Sequence, residues 1–131
     1  MYETAESPYM IFESRDQYEE HKQLKSMVRK MSEELAYFVW DLTNGSVRLK
    51  VNSVYREKDP DSQHAHYEAE DIQTMHLSKD LTWKMHNFCC ENYPRHDEIV
   101  LRSTGKKVTA RSCLLHQNHA HLSQDKHREP N

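Results

Sequence analysis

Apolar residues recur at helical spacing in the first third of the chain. Five of them are separated by four, three, four and three positions: Leu24, Val28, Met31, Leu35 and Phe38. This spacing draws one stripe along a helix, and the intervening charged residues lie largely off that stripe. Just upstream, Ser14 and Gln17 fit a capping box, in which each side chain satisfies a backbone N–H at a helix start. The pattern predicts a long amphipathic helix over residues 14–36.

The apolar stripe of this helix has two candidate partners. A coiled-coil seam uses the same spacing, but only about two apolar heptads are present, which is short for a free-standing coiled coil. We therefore expect the stripe to pack on the protein's own sheet. The alternative is contact with a protein partner or with a second copy of the chain as a homodimer. The candidate interface residues are Leu24, Val28, Met31 and Leu35.

The dipeptide Asn44-Gly45 follows the predicted helix. It is typical of the two-residue turn of a β-hairpin, because both residues tolerate a positive φ. With a turn here, the large apolar residues before it lie opposite those after it, and polar residues share the other face. The pattern predicts a hairpin that pairs roughly residues 37–42 with residues 46–56.

The second half of the chain repeats the order helix, strand, glycine turn, strand. Ser78 is suited to cap a helix that carries a second apolar stripe, and Pro94 ends it. Two more strands are predicted about Gly105, with Leu101 opposite Val108. We expect a bulged or longer loop that holds this glycine in the left-handed conformation.

The segment between the two halves has a weaker pattern. Residues 64–76 alternate at Ala65, Tyr67 and Ala69, and the alternation is lost at Glu70 and Asp71. We interpret this as an extra strand followed by a turn. Together the elements indicate an α+β fold with two helices packed on a mainly antiparallel sheet of about four or five strands, in the order α-β-β-α-β-β.

The ends of the chain lack periodicity. Residues 1–13 contain Pro8 and are predicted to form a flexible arm, and residues 14–115 form a single α+β domain. Residues 116–131 hold one aliphatic residue besides alanine and are rich in histidine and basic residues. We expect this last segment to be a disordered tail.

Composition limits the classes of protein to consider. A chain of 131 residues with 36% hydrophobic and 30% charged residues can bury one modest core. No segment reaches the roughly 18 to 20 apolar residues of a membrane span, and Glu3 and Glu6 stand where a signal peptide carries basic residues. With three cysteines, an odd number, a disulfide framework is not expected. We expect an intracellular protein, cytoplasmic or nuclear, with reduced thiols.

Charge is unevenly distributed along the chain. The formal net charge is −3, although residues 101–131 contain six basic and two acidic side chains. An acidic body argues against a dedicated nucleic-acid domain, whereas a basic strand face and the basic end favour accessory contacts to nucleic acid. The candidate residues for such contacts are Arg48, Lys50, Arg56, Lys106, Lys107 and Arg111.

Histidine is in excess and glycine is scarce. Only two glycines are present, and both are assigned to turns, which excludes a phosphate-binding glycine loop or a dinucleotide fingerprint.

Ten histidines invite a metal site, and His64 and His66 are predicted to share one face of a strand. No cofactor is expected, with structural zinc as the alternative. Its candidate ligands are Cys89, Cys90, Cys113 and His116. In the competing interpretation, the histidines are solvated and the cysteines are small buried apolar residues.

No spacing of residues selects a nucleophile, a base and an orienting partner, so we expect a non-enzyme. The leading interpretation is an interaction or regulatory protein that acts through protein–protein contacts. A nucleic-acid-binding accessory protein is the first alternative, and an unrecognised metal-dependent enzyme is the second.

Overall fold

Three helices pack on one face of a five-stranded sheet in the computed structural model, which describes residues 1–57 and 62–125. The elements in chain order are β1 (Met10–Ile11), α1 (Arg15–Lys22), α2 (Ser26–Leu42), β2 (Leu49–Ser53), a 3₁₀ helix (Gln63–His66), β3 (Ala69–Gln73), α3 (Lys79–Asn92), β4 (Glu98–Val100), β5 (Lys107–Thr109), β6 (Cys113–Leu115) and β7 (His119–Ser123).

The main sheet has the strand order β1-β2-β3-β7-β6, and β4 and β5 form a separate two-stranded sheet. Only β1 and β2 are parallel within the described part of the chain, and all other pairs are antiparallel. The predicted α+β class with a mainly antiparallel sheet is therefore confirmed. The number of helices and the order of elements differ from the prediction, for reasons that lie in three segments.

The predicted helix over residues 14–36 is two helices. Ser14 caps α1 as expected, since its Oγ accepts a hydrogen bond from the Gln17 backbone at 3.1 Å. The chain turns before Lys25, whose backbone N–H donates to the carbonyl oxygen of Tyr67 at 2.9 Å. This contact from a distant segment satisfies an N–H group where α2 begins, so the helix breaks without a local breaker residue.

The apolar stripe of α2 packs inside this chain. Leu24, Val28, Met31 and Leu35 are all buried in the core, together with residues of β2, β3, β7 and α3. The structure therefore places the four candidate interface residues against the protein's own sheet, which was the expected arrangement for the stripe.

The hairpin predicted about Asn44-Gly45 is not formed, because residues 37–42 continue α2. Asn44 and Gly45 do have positive φ angles, of 52° and 80°. The Gly45 N–H donates to the Trp40 carbonyl at 2.8 Å and the Asn44 N–H to the Asp41 carbonyl at 3.2 Å. This pair of bonds is a Schellman motif, so the dipeptide ends a helix instead of turning a hairpin.

Strand β2 therefore pairs with other partners. It lies between β1, with Met10 beside Leu49, and β3, with Val51 beside Ile72. Residues 1–13 consequently belong to the domain and do not form the predicted separate arm. Met10 is fully buried, and strand pairing holds this segment in place.

The second helix and the second hairpin follow the prediction more closely. Ser78 caps α3 by accepting a hydrogen bond from the Leu81 backbone at 3.1 Å. Strands β4 and β5 pair about Gly105, which has a φ of 69°. The loop is longer than a two-residue turn, as expected, and the register differs by two residues, because Val108 lies opposite Ile99 and not opposite Leu101.

The histidine-rich segment supplies β7, an interior strand of the main sheet. It pairs with β3 on one side and with β6 on the other, which corrects the prediction of a tail from residue 116. Ala120 and Leu122 point into the core and are fully buried, whereas His119 and His121 alternate with them. Two inward apolar residues are too few to stand out as a strand pattern. Residues 126–131 of the predicted tail lie outside the described residues.

None of the helices in the described residues is long and apolar enough to cross a membrane.

We expect Leu122→Ala to lower the free energy of unfolding by about 2–5 kcal/mol, because it leaves a cavity in the core under an interior strand. Leu114→Ala is the matched control, since Leu114 lies on the neighbouring strand β6 and is 39% exposed. Its cost should stay below about 1 kcal/mol. Urea unfolding measures both, and an unaffected Leu122→Ala variant would contradict the placement of β7.

Candidate functional site

Two adjacent carboxylates occupy the middle of the central strand β3. Glu70 is 0% exposed and Asp71 is 1% exposed. Because successive side chains of a strand point to opposite faces, Glu70 faces the helices and Asp71 faces the outer side of the sheet. Burying an ionised carboxylate costs several kcal/mol unless it is paired and hydrogen-bonded. Each face must therefore supply partners.

On the helical face, His21 of α1 lies between two carboxylates. Its Nδ1 is 2.6 Å from Glu70 Oε2, and its Nε2 is 2.7 Å from Glu33 Oε1. Ser32 donates a hydrogen bond to the other oxygen of Glu70. Burial by itself lowers the pKa of His21, but the charges and hydrogen bonds of Glu70 and Glu33 outweigh burial and raise this pKa to about 9. His21 is therefore an imidazolium that donates from both ring nitrogens.

On the outer face, Asp71 is surrounded by basic side chains. Arg56 Nη2 is 2.5 Å from Oδ2, and His121 Nδ1 is 3.0 Å from Oδ1. His64 Nε2 lies 3.3 Å from Oδ1, and His119 Nε2 lies 3.8 Å from Oδ2. Burial raises the pKa of Asp71, but the hydrogen bond from His121 and the basic side chains around the carboxylate outweigh burial and hold the pKa well below its usual value. Asp71 is ionised.

His64 reaches this carboxylate from the 3₁₀ helix. Ser62 Oγ accepts a hydrogen bond from the His64 backbone, and Tyr67 at the end of the helix has a positive φ of 57°, which turns the chain into β3. His64 Nδ1 donates to the Val54 carbonyl oxygen at 2.7 Å. Its Nε2 is buried and has no hydrogen-bond partner, because the approach to Asp71 is poorly aligned.

A ring cluster extends from this point across the outer face. The His64 and His121 rings meet edge to face with centroids 5.1 Å apart, and His116 stacks on His119 at 4.7 Å. Four of the ten histidines thus collect around one carboxylate. The predicted shared strand face of His64 and His66 is not formed, since both lie in the 3₁₀ helix.

A cleft opens between the outer face of the sheet and the β4–β5 hairpin. Its volume is about 630 Å³. The apolar residues that line it are Ile99, Leu101, Val108, Ala110 and Leu114. The polar residues that line it are Ser62, Gln63, Arg95, Thr109, Arg111, His121 and Ser123.

Arg95 anchors the floor of the cleft. Its side chain is buried, and its Nη1 donates to Ser123 Oγ at 2.7 Å and to Gln63 Oε1 at 3.2 Å. The other side of the guanidinium makes a two-point contact with the Asp97 carboxylate. These bonds join β7, the 3₁₀ helix and the start of β4, so the polar end of the cleft is held by fixed side chains.

The cysteine candidates for zinc lie elsewhere. Cys89 and Cys113 are free thiols in the core, and a hydrogen bond with Cys113, together with burial, raises the pKa of Cys89. Cys90 Sγ is 3.7 Å from His86 Nε2. His116 stacks in the histidine cluster on the outer face, away from the core thiols, so the four candidates do not meet. Among the residues that the structure describes, those grouped at distances suited to a metal are His64, Asp71 and His121.

The basic candidates for nucleic acid do not form one stripe. Arg48 pairs with Glu3, and Arg56 pairs with Asp71, so both charges are used within the protein. Lys106, Lys107 and Arg111 are exposed on or beside the β4–β5 hairpin. Lys50 lies on β2, beside Ile11 of β1.

No family model, no curated protein and no solved structure matches this chain. Its function is therefore inferred from the site. Sequence reasoning missed Glu70, Asp71 and Arg95 as site residues. One signal was present, the alternation of His119, His121 and Ser123 with the apolar residues Ala120 and Leu122.

The imidazolium of His21 predicts a pH dependence of stability. The folded protein binds a proton with a pKa of about 9, whereas an unfolded histidine titrates near 6.5. The stabilisation is complete below pH 6.5 and is lost as the pH rises through 9, which amounts to about 3 kcal/mol.

The matched control is the double variant His21→Leu/Glu70→Leu, which removes the buried pair together and avoids leaving one charge alone. Urea unfolding at a series of pH values should show a clear fall in stability for the wild type and a much flatter profile for the double variant. Equal slopes for the two proteins would contradict the charged state assigned to His21.

Proposed function

We propose that this protein is a non-enzymatic binding protein whose cleft holds a small organic molecule with an apolar body and an acidic head. The observation that supports this proposal is the cleft beside the β4–β5 hairpin, which has a volume of about 630 Å³. Small-molecule sites typically measure about 300–1,000 Å³, with apolar walls and a few fixed polar groups. This cleft has both properties.

The acidic head follows from the charges in the cleft. None of the described residues that line the cleft has a carboxylate. Three of them have basic side chains: Arg95, Arg111 and His121. Arg95 is already paired with Asp97, so the exposed Arg111 is the group with charge to offer. A carboxylate, sulfonate or phosphate on the ligand would be paired there.

The apolar body follows from the walls. Ile99 and Leu101 are each 37% exposed on the hairpin, and Leu114 is similarly exposed on the sheet opposite. A ligand between them would remove apolar surface from water on both sides, at about 25 cal/mol per Å². The apolar stripe of α2 is buried in the core and is not available for contact with a partner. We therefore place binding at this cleft.

The first test uses 1-anilinonaphthalene-8-sulfonate, a dye with an apolar body and one anionic group whose fluorescence rises in apolar sites. We expect one dye molecule per chain. Ile99→Asp should weaken binding about tenfold or more, because it replaces apolar contact with a charge. Val100→Asp is the matched control, since Val100 is the next residue of β4, is 60% exposed and does not line the cleft. Several dye molecules per chain, or equal effects of the two variants, would refute the cleft as the site.

The second test isolates the acidic head. N-phenyl-1-naphthylamine is the same dye without the sulfonate. Arg111→Gln should weaken binding of the sulfonated dye about 10- to 100-fold, the range for a lost charge-assisted hydrogen bond, and leave the neutral dye unchanged. Arg102→Gln, in the exposed turn of the same hairpin, is the control. If Arg111→Gln affects both dyes equally, the charge of Arg111 has no role in recognition.

A further inference from the structure

The residues around Asp71 have the spacing of a metal site. Ligand atoms of His64, Asp71 and His121 all lie within 4.8 Å of one another. His64 Nε2 and His121 Nδ1 are 3.3 and 3.0 Å from the same carboxylate oxygen. In a tetrahedral zinc site with bonds of about 2.0–2.1 Å, neighbouring ligand atoms are about 3.3 Å apart. Small shifts of the side chains would bring these three atoms around one ion.

His64 gives a second, independent indication. Its Nδ1–H donates to the Val54 carbonyl, so Nε2 is the ring nitrogen that remains available to a ligand. The side chain is 2% exposed, and this nitrogen has no hydrogen-bond partner although it lies 3.3 Å from Asp71 Oδ1. A buried polar nitrogen without a partner calls for a physical explanation, and a bound ion is one of those found in proteins. A histidine that ligates a metal through one nitrogen typically donates from the other to a backbone carbonyl or a carboxylate, as His64 does.

The surroundings of Asp71 suit the same role. Arg56 holds Oδ2, so Oδ1 is the oxygen directed at the two histidines. His121 is 18% exposed and lines the cleft, which leaves the site open to water on one side. His119 Nε2, 3.8 Å from Oδ2, is near enough to serve as a fourth ligand after a change of rotamer.

We propose that His64, Asp71 and His121 bind one divalent metal ion, and that the ion is zinc. Two imidazole nitrogens and one carboxylate oxygen form a donor set that zinc favours, with the fourth position left for water or His119. Calcium and magnesium prefer sites made entirely of oxygen, so this site should reject them. The metal site goes beyond ligand binding in the cleft, since it rests on different residues except for His121.

The test is calorimetric titration of the metal-free full chain, without an added histidine tag, with zinc chloride in the presence of a competing chelator. We expect one tight zinc ion per chain and no tight binding of calcium or magnesium. Cobalt(II) should give the visible absorption of a tetrahedral complex. His64→Gln should weaken zinc binding by more than the 10- to 100-fold typical of a lost outer-shell partner, that is, by about 100-fold or more.

Matched controls separate this site from the other histidines. His76→Gln removes an exposed histidine from the turn after β3 and should leave zinc affinity unchanged. His121→Gln is the second ligand variant. Because His121 is less buried than His64, its replacement is less prone to unfold the protein. Circular dichroism and urea unfolding establish that each variant is folded.

Several results would overturn the proposal. One is the absence of tight zinc binding by the wild type, which would make the cluster around Asp71 a structural charge network only. Another is full zinc binding by folded His64→Gln and His121→Gln variants. If zinc binding were then lost in a His116→Gln/His119→Gln variant, the ion would lie on the stacked rings of His116 and His119. Dye binding at the cleft is measured without metal, so its failure and the failure of the metal site are distinguishable.

Discussion

The structure depends on two neighbouring buried carboxylates, each of which must be paired with basic or hydrogen-bonding side chains. Glu70 and Asp71 lie side by side in β3, the central strand, and alternation sends them to opposite faces of the sheet. Neither is tolerable in the interior without partners, because an unpaired buried charge costs several kcal/mol. Each face of the sheet is therefore organised around a charge that it must neutralise.

On the helical face this requirement positions the N-terminal helices. His21 must lie in α1 where one ring nitrogen meets Glu70 and the other meets Glu33 of α2. The break between α1 and α2, held by the carbonyl of Tyr67, permits that geometry. Apolar packing of α2 supplies most of the burial, and the charged pair selects how the two helices sit on the sheet.

On the outer face the same requirement assembles the candidate site. Asp71 is contacted by His64 of the 3₁₀ helix, by His121 of β7 and by Arg56, which follows β2. His121 belongs both to this charged cluster and to the wall of the cleft. Ligand binding and metal binding would consequently share one rigid wall, and each could influence the other through that single ring.

Some features were determined by the sequence itself, because the interactions that decide them span only a few residues. The serine caps at Ser14 and Ser78 and the positive φ of Gly105 are of this kind, as is the apolar stripe of α2. The positive φ of Asn44 was also predictable, although the same conformation serves a hairpin turn and a helix end equally well.

Only the tertiary structure decided the features whose partners are distant in the chain. Glu70 and Asp71 interrupt the apolar alternation and therefore suggested a turn. Inside the strand they are stabilised by partners that include His21 and His121, each about 50 residues away. The histidine-rich segment became β7 because β3 and β6 provide backbone partners on both sides. Charge pairing and strand pairing at this separation leave no local pattern, since the free energy that drives them arises from contacts formed only when the chain is folded.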